Sequence, residues 1–252
     1  MVVVARAGLR RLNLTAGVLH LGSAVAVIAL ANGFSLPVGA RYMAGPPGSN
    51  RYKSVVYGHV PMAVLIGLFF ALSAAAHFIV AGPAQSRYLE NLTRQRNPYR
   101  WVEYSLSASV MIVAVAQLTG IADVAALISL AGVNASMIGF GWAQEYYESP
   151  GGSLRLFWLG CLAGAVPWVA IGLYLFSPGA AQHAPGFVYG IYVSIFVMFN
   201  CFALVQYLQY RQVGRFADYL VGERAYIALS FVAKSLLAWQ VFASTLAGAA
   251  SR

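Results

Sequence analysis

Four ionisable side chains lie inside long apolar stretches of this sequence, where a charge is expensive to bury. They are His20, His77, Glu103 and Lys234. A buried lysine alone tends to lose its proton and a buried glutamate tends to gain one, whereas together they can both stay charged at lower cost. The sequence therefore predicts a buried ion pair between Lys234 and Glu103.

Two kinds of chemistry use one buried lysine and one buried acid. In the first, the lysine amine forms a Schiff base with an aldehyde, and the carboxylate neutralises the protonated imine. In the second, the pair only holds two helices together. Ser230 precedes Lys234 by four residues, so the two share a helix face. Ser73 is related to His77 in the same way, and each hydroxyl can hydrogen-bond a charged group or simply pack between helices.

The composition identifies the elements that must position these residues. Apolar residues make up 60% of the 252 residues and charged residues only 9%, against roughly a quarter charged in an ordinary soluble domain. Such a chain cannot cover a water-facing surface, so a soluble enzyme and a disordered chain are both excluded. The two cysteines lie inside apolar runs, and their number rules out a disulfide scaffold and a zinc finger.

Seven apolar stretches are long enough to cross a bilayer core of about 30 Å as helices of roughly 20 residues. We therefore predict an all-α membrane fold, a seven-transmembrane helix bundle in one domain over residues 1–252. Lys234 then lies roughly 14 Å and Glu103 roughly 8 Å from the same membrane surface, so the two side chains can meet. The predicted spans are 12–34, 55–81, 98–119, 122–146, 154–176, 187–210 and 225–249.

The basic residues predict the orientation of the bundle, because cytoplasmic connectors are rich in Lys and Arg. With the amino terminus cytoplasmic and the carboxyl terminus extracellular, eleven basic residues lie on the inner side and four on the outer side. They are spread over short connectors, so the net charge of +9 does not indicate nucleic-acid binding. A signal peptide cleaved after Ala40 is the rival interpretation of the first stretch, which is longer than a typical signal and carries Asn13 and His20.

The longest predicted connector runs from residue 35 to residue 54 on the outer side. Connectors of that length are often functional or structured, so an outer lid, a surface for pairing and a plain linker all stay open.

Five strings in the sequence resemble the heliorhodopsins, a family of retinal proteins with an inverted membrane orientation. The resemblance covers essentially the whole chain, and the orientation of the family agrees with the charge count. The strings are RWVEYSLSASVMIVAVAQLTGIAD (100–123), GVNASMIGFGWAQE (132–145), APGFVYG (184–190), FNCFALVQYLQY (199–210) and GERAYIALSFVAKSLLAWQ (222–240).

The resemblance implies that all-trans-retinal is bound to Lys234 as a protonated Schiff base, with Glu103 as its counterion and Ser230 hydrogen-bonded near the imine. It also implies a polar cluster that receives or guides the proton, formed by His20, Ser73 and His77, and an acid near the cytoplasmic end of the fourth helix, Glu145. Further residues match stretches that line or adjoin the retinal pocket, namely Trp101, Tyr104, Asn134, Met137, Phe199, Asn200 and Trp239.

These residues favour a light-sensing photoreceptor of the cell membrane that has a slow photocycle and signals by conformational change. Two positions that carry carboxylates in the archetypal proton-pumping rhodopsins are Ala114 and Ser230 here. No acid is available in the outer half of a span to complete a proton route, because Asp123 lies in a turn. Ion pumping is therefore disfavoured, and a light-driven ion transporter or a light-gated channel is the alternative to a photoreceptor. An enzyme is not expected. Membrane lipid, a second copy in a homodimer and an unidentified signalling protein are the expected partners.

Overall fold

The structure is a computed structural model that describes residues 2–177 and 183–250. Among these residues, seven helices are long and apolar enough to cross a membrane, which confirms the predicted seven-helix membrane bundle. The elements are α1 (Val2–Ala29), β1 (Ser35–Met43), β2 (Tyr52–Pro61), α2 (Met62–Ala81), α3 (Gln85–Thr93), α4 (Pro98–Leu118), α5 (Val124–Tyr147), α6 (Arg155–Leu175), α7 (Gly186–Tyr210) and α8 (Tyr219–Ala250).

A hairpin of two antiparallel strands follows α1, where the sequence predicted a long outer connector and the start of the second span. Residues 55–61 belong to β2, and they pair with β1 from Ser35 opposite Pro61 to Met43 opposite Tyr52. Hydropathy placed these residues in a helix because several of them are valines, but β-branched residues favour a strand when a partner strand is available. The second transmembrane helix therefore begins at Met62.

The hairpin is attached to the turn between α4 and α5. The backbone N–H of Gly39 donates to the carbonyl oxygen of Ala122 at 3.0 Å, next to a register shift between Val38 and Gly39. The turn is tight: Gly120 adopts a φ of +96°, and the Asp123 side chain accepts hydrogen bonds from the backbone N–H groups of Ala125 and Ala126 at the start of α5. We call this end of the bundle the hairpin end.

The opposite end carries the short helix α3, which the sequence analysis treated as part of a connector. Its two buried residues, Tyr88 and Leu92, pack against Leu9 of α1 and Val80 of α2, while its other face is polar. This amphipathic pattern is what a helix lying on the bundle requires. We call this end the α3 end.

Apolar side chains fill the bundle towards the hairpin end, where Ile66, Ile171 and Leu237 are fully or almost fully buried. Buried ionisable groups concentrate towards the α3 end. Helix α6 packs on α5 through glycines: a Cβ on Gly164 would lie 2.5 Å from the sulfur of Met137. Gly160 and Gly164 therefore allow close packing of α6 on α5.

Candidate functional site

The predicted ion pair is present in the α3-end half of the bundle. The Nζ atom of Lys234, on α8, lies 3.1 Å from the Oε1 atom of Glu103, on α4. The two residues are only 3% and 9% exposed. A buried pair of this kind is stable only when further hydrogen bonds satisfy the remaining polar atoms.

Two serines supply those hydrogen bonds. Lys234 Nζ donates to the hydroxyl of Ser230 at 2.7 Å, as expected for residues one helical turn apart. The hydroxyl of Ser73 donates to Glu103 Oε1 at 2.5 Å. Ser73 thus contacts the acid on the neighbouring helix rather than His77 on its own helix, and Glu103 Oε1 is held from two sides.

Two stacked histidines lie beside the pair. The rings of His20, on α1, and His77, on α2, are nearly parallel, and their centroids are 5.4 Å apart. His77 Nδ1 is 2.8 Å from the side-chain oxygen of Asn13. His20 is fully buried between Phe70 and Phe231, and neither of its ring nitrogens has a hydrogen-bond partner among the described residues.

An apolar cavity begins at Lys234. Its wall includes four of the residues that the resemblance assigned to the pocket: Trp101, Tyr104, Met137 and Phe199. Tyr104 is fixed by a hydrogen bond from its hydroxyl to the carbonyl oxygen of Tyr226 at 2.9 Å, and its ring centroid lies 5.4 Å from Lys234 Nζ. The cavity therefore combines an amine with aromatic and thioether surfaces.

Three residues that were assigned to the pocket do not line this cavity. Asn134 is buried between helices and donates to the hydroxyl of Ser109 at 3.1 Å, so it joins α5 to α4. Trp239 is 48% exposed on the outer surface of α8. Asn200 is exposed and bonds a carbonyl oxygen of its own helix.

Other residues that line the cavity were not predicted from the sequence, including Phe157, Phe202 and Gln206. Phe199, Phe202 and Gln206 are spaced by three and four residues, which places them on one face of α7. That spacing was visible in the sequence, but aromatic residues are so frequent in membrane helices that it did not stand out.

A second buried charge cluster lies further towards the α3 end. The guanidinium of Arg100 donates to Glu223 at 2.6 Å and also pairs with Glu145, and all three side chains are at most 5% exposed. Glu145 was predicted to be functional, but its partner was not identified. A charge so close to the start of its helix is expected to reach solvent, but Glu223 is covered by Tyr88 of α3 and by Asn97, the residue before α4.

Helical spacing contained a signal for this second cluster. Arg100 lies three residues before Glu103 on α4, and Glu223 lies eleven residues before Lys234 on α8. Three residues make a little less than one helical turn, and eleven residues make about three turns. On each helix the two residues therefore lie on nearly the same face. The second cluster therefore continues the line of the first one on each helix.

A small cavity of about 40 Å³ connects the two clusters, and His77, Glu103, Arg100 and Glu223 all contribute to its wall. Because one buried water needs roughly 10–15 Å³ on this scale, the cavity has room for ordered water. Among the described residues, no three His, Cys, Asp or Glu side chains converge as a metal site requires.

Comparison with known proteins agrees with this arrangement. The family model for heliorhodopsins matches residues 9–246, while no curated protein sequence matches the chain. The fold is similar to that of a light-driven proton pump, LR (Mac), from Leptosphaeria maculans, with a TM-score of 0.64, 13% identity, and coverage of 94% of this chain and 95% of that chain.

Two further solved structures share the fold. The light-driven proton pump Coccomyxa subellipsoidea rhodopsin CsR has a TM-score of 0.61 and 16% identity, with 94% of this chain and 96% of that chain covered. Xanthorhodopsin, a light-driven ion pump with dual chromophore, has a TM-score of 0.61 and 12% identity, with 94% and 92% covered. These identities show a common fold only, whereas the family model spans nearly all of this chain. The chain therefore belongs to the heliorhodopsin family of retinal-binding, light-responsive membrane proteins.

Proposed function

We propose that this protein is a light sensor in which all-trans-retinal is attached to Lys234 as a protonated Schiff base and Glu103 is the counterion. One observation carries the proposal: a buried primary amine opens into an apolar, aromatic cavity and lies 3.1 Å from a buried carboxylate. A lysine that served only to join two helices would not need the cavity.

The residues present fit a polyene aldehyde. The Lys234 amine supplies the point of attachment, and Trp101, Tyr104, Met137 and Phe199 supply apolar surface for a long hydrocarbon. When bound, the retinal supplies light absorption and a change of shape by isomerisation.

The remaining polar side chains hold charge and protons in place. Ser230 accepts a hydrogen bond from the Lys234 nitrogen at 2.7 Å, and Ser73 donates to Glu103 at 2.5 Å. The carboxylate is thereby held opposite the nitrogen, where its negative charge stabilises a cation. His20 and His77 stack on each other beside the pair, and an imidazole can hold a released proton.

We propose signalling rather than ion pumping. The buried acids of the described residues are Glu103, Glu145 and Glu223, and all three lie in the α3-end half of the bundle. The hairpin-end half is filled with apolar side chains such as Ile66 and Leu237. Among the described residues, a proton released towards the histidines therefore has no buried acidic group ahead of it in the other half, which favours a slow photocycle in which it returns.

Attachment at Lys234 is tested by adding all-trans-retinal to membranes that contain the protein. We expect a coloured species whose reduction with borohydride leaves the polyene on the peptide that contains Lys234. The variant Lys234→Ala should stay colourless, whereas Lys53→Ala, which removes the exposed lysine of β2, should form pigment normally. Pigment in Lys234→Ala, or a reduced adduct on Lys53, would overturn the proposal.

Two measurements distinguish the light sensor from the alternative, a light-driven ion transporter or a light-gated channel. Pigmented cells are illuminated in unbuffered medium while the external pH is followed, and photocurrents are recorded. We expect no sustained change of external pH and no steady photocurrent. A sustained signal that disappears in Lys234→Ala would favour transport and contradict a purely sensory role.

We also propose a homodimer in the lipid of the cell membrane, coupled to a signalling protein. Exposed aromatic and apolar side chains on the hairpin, including Tyr42, Tyr52 and Val56, offer a surface for pairing. Mass measurement of the pigment in lipid nanodiscs tests this, since two chains per particle are expected and one chain would contradict it. A protein that is captured from illuminated membranes and not from dark ones would be a candidate partner.

A further inference from the structure

A line of hydrogen bonds runs from His77, beside the Lys234–Glu103 pair, to Glu223 in the second charge cluster. His77 Nδ1 lies 2.8 Å from Asn13 Oδ1, and Asn13 Nδ2 lies 3.4 Å from the Tyr88 hydroxyl. The Tyr88 hydroxyl donates to Glu223 Oε1 at 3.0 Å. The line therefore joins α2, α1, α3 and α8 through buried side chains.

Glu223, the last residue of the line, determines which atom donates and which accepts in each of these hydrogen bonds. Glu223 is ion-paired with Arg100, so its oxygen only accepts, and the single hydroxyl proton of Tyr88 points at it. Burial, and then the Glu223 carboxylate, raise the pKa of the Tyr88 hydroxyl, which therefore keeps this proton. The Tyr88 oxygen is consequently the acceptor for an N–H of Asn13.

The orientation of the Asn13 amide is fixed a second time by its own helix. Asn13 Nδ2 donates to the carbonyl oxygen of Leu9 at 3.0 Å, a contact that an amide oxygen could not make. The nitrogen therefore faces Leu9 and Tyr88, and the oxygen faces His77. Because an amide oxygen only accepts, His77 Nδ1 must carry a proton.

We propose that Asn13 holds neutral His77 as the Nδ1-protonated tautomer, so that Nε2 is the atom that accepts the proton released from the Lys234 nitrogen. The proposal rests on the proposed function, since it needs the attached, light-responsive group to release the proton. Asn13, with Tyr88 and Glu223 behind it, is a positioning group: it acts on the proton only through His77.

The transfer is balanced without any other reactant. The N–H bond on the Lys234 nitrogen breaks, a new N–H bond forms at His77 Nε2, and the positive charge moves from Lys234 to the imidazole. His77 lines the 40 Å³ cavity together with Glu103, which accepts a hydrogen bond from Lys234 Nζ, so the imidazolium forms beside a carboxylate. The cavity has room for a water that carries the proton between the two residues. His20 is a poorer acceptor, because no described residue hydrogen-bonds either of its ring nitrogens to fix a tautomer.

The tautomer is tested by ¹⁵N nuclear magnetic resonance of the histidine side chains in the pigmented protein, kept in the dark. We expect a protonated Nδ1 and an unprotonated Nε2 on His77, identified by the loss of these signals in His77→Phe. Asn13→Leu should convert them to a mixture of tautomers, whereas Tyr88→Phe leaves Leu9 to orient the Asn13 amide and should preserve them. A protonated Nε2 on neutral His77 in the parent protein would overturn the inference.

The functional consequence is measured by transient absorption after a flash, as the rate at which the Lys234 nitrogen loses its proton. Asn13→Leu should slow this step several-fold, because only the fraction of His77 that stays protonated on Nδ1 leaves Nε2 free to accept. Tyr88→Phe should have a smaller effect, because Leu9 still orients Asn13. Tyr99→Phe is the matched control: Tyr99 lines the same cavity, but its hydroxyl has no hydrogen-bond partner among the described residues, so neither measurement should change.

Failure of this inference and failure of the proposed function give different results. If no pigment forms on Lys234, the proposed function fails and the proton step does not exist. If pigment forms and the proton leaves at the same rate in Asn13→Leu as in the parent protein, the sensor stands and the role of His77 Nε2 is wrong.

Discussion

Glu103 Oε1 accepts hydrogen bonds from Ser73 on one helix and Lys234 on another, so its negative charge has a fixed position. A fixed anion close to a cationic imine stabilises positive charge on the nitrogen and raises the energy needed to spread that charge along a polyene. We expect Glu103→Gln to shift the visible absorption band to longer wavelength. Glu145→Gln removes a buried acid that pairs with Arg100 rather than Lys234, and should leave the band in place. An unshifted band in Glu103→Gln would contradict the counterion role.

Arg100 is the central residue of the second charge cluster, and its loss leaves two buried carboxylates without their cation. Removing one partner of a buried ion pair typically costs about 3–5 kcal/mol. We expect Arg100→Ala to lower the free energy of unfolding by about this amount in a denaturant titration in detergent. The matched variant Arg94→Ala breaks an exposed pair with Glu90 on α3 and should cost at most about 1 kcal/mol. Equal effects would show that Arg100 is effectively solvated.

The two charge clusters differ in how far the sequence reveals them. Lys234 and Glu103 stand out because each interrupts a long apolar run, and a charge in such a place must be paired or functional. Arg100 and Glu223 lie near the ends of their helices, where a charge usually reaches water. Their burial depends on α3 and on the neighbouring helix ends, and this is tertiary information that no local pattern contains.

The hairpin depends on a close contact at one glycine. A Cβ on Gly39 would lie 2.2 Å from the backbone oxygen of Val55 on the partner strand, so the strand would have to move. The same glycine donates the hydrogen bond that attaches the hairpin to the turn before α5. We expect Gly39→Ala to destabilise the protein by about 1–3 kcal/mol, the usual range for overpacking, seen as a lower melting temperature of the pigment.

Gly58, on β2, is the matched control for this change. A Cβ there meets no atom within 4 Å, so Gly58→Ala should leave the melting temperature unchanged or raise it slightly by restricting the unfolded chain. If both variants melt at the same temperature as the parent protein, the contact between Gly39 and Val55 does not constrain the hairpin.

At the scale of elements, hydropathy identified the helices more reliably than it identified what joins them. A run of about 20 apolar residues has few alternatives to a membrane helix, because every backbone polar group must be satisfied inside the bilayer. The strand β2 and the helix α3 are shorter and mix apolar with polar residues, so their structure depends on a partner strand or on the bundle surface. The boundary at Met62 was missed by seven residues for this reason.

For the whole molecule, the number of spans followed from the sequence, while the arrangement of buried groups followed only from packing. The sequence placed His20, His77, Glu103 and Lys234 at similar depths, and the structure brings them together in one half of the bundle. The sequence did not predict that Gly160 and Gly164 of α6 would pack closely against α5. It also did not predict that the hairpin would be attached to the turn before α5.

The orientation of the molecule in the membrane is set by the charge difference between its two ends and can be measured directly. Among the described residues, eleven basic residues lie on the α3-end side of the spans, and Arg41, Arg51 and Lys53 lie on the hairpin-end side, so the α3 end is expected in the cytoplasm. Two exposed serines give a matched pair of probes: Ser86 on α3 and Ser54 on β2. Each is changed to cysteine in a background where Cys161 and Cys201 are replaced by alanine.

A thiol reagent that cannot cross membranes should label Ser54→Cys in intact cells and Ser86→Cys only after the cells are opened. The small side chain and exposed position are the same in both variants, so any difference reports the side of the membrane rather than reactivity. The reverse pattern would place the hairpin in the cytoplasm. In that case Arg100, Glu145 and Glu223 would close the outer rather than the inner end of the bundle, and the proton held by the histidines would face the outside of the cell.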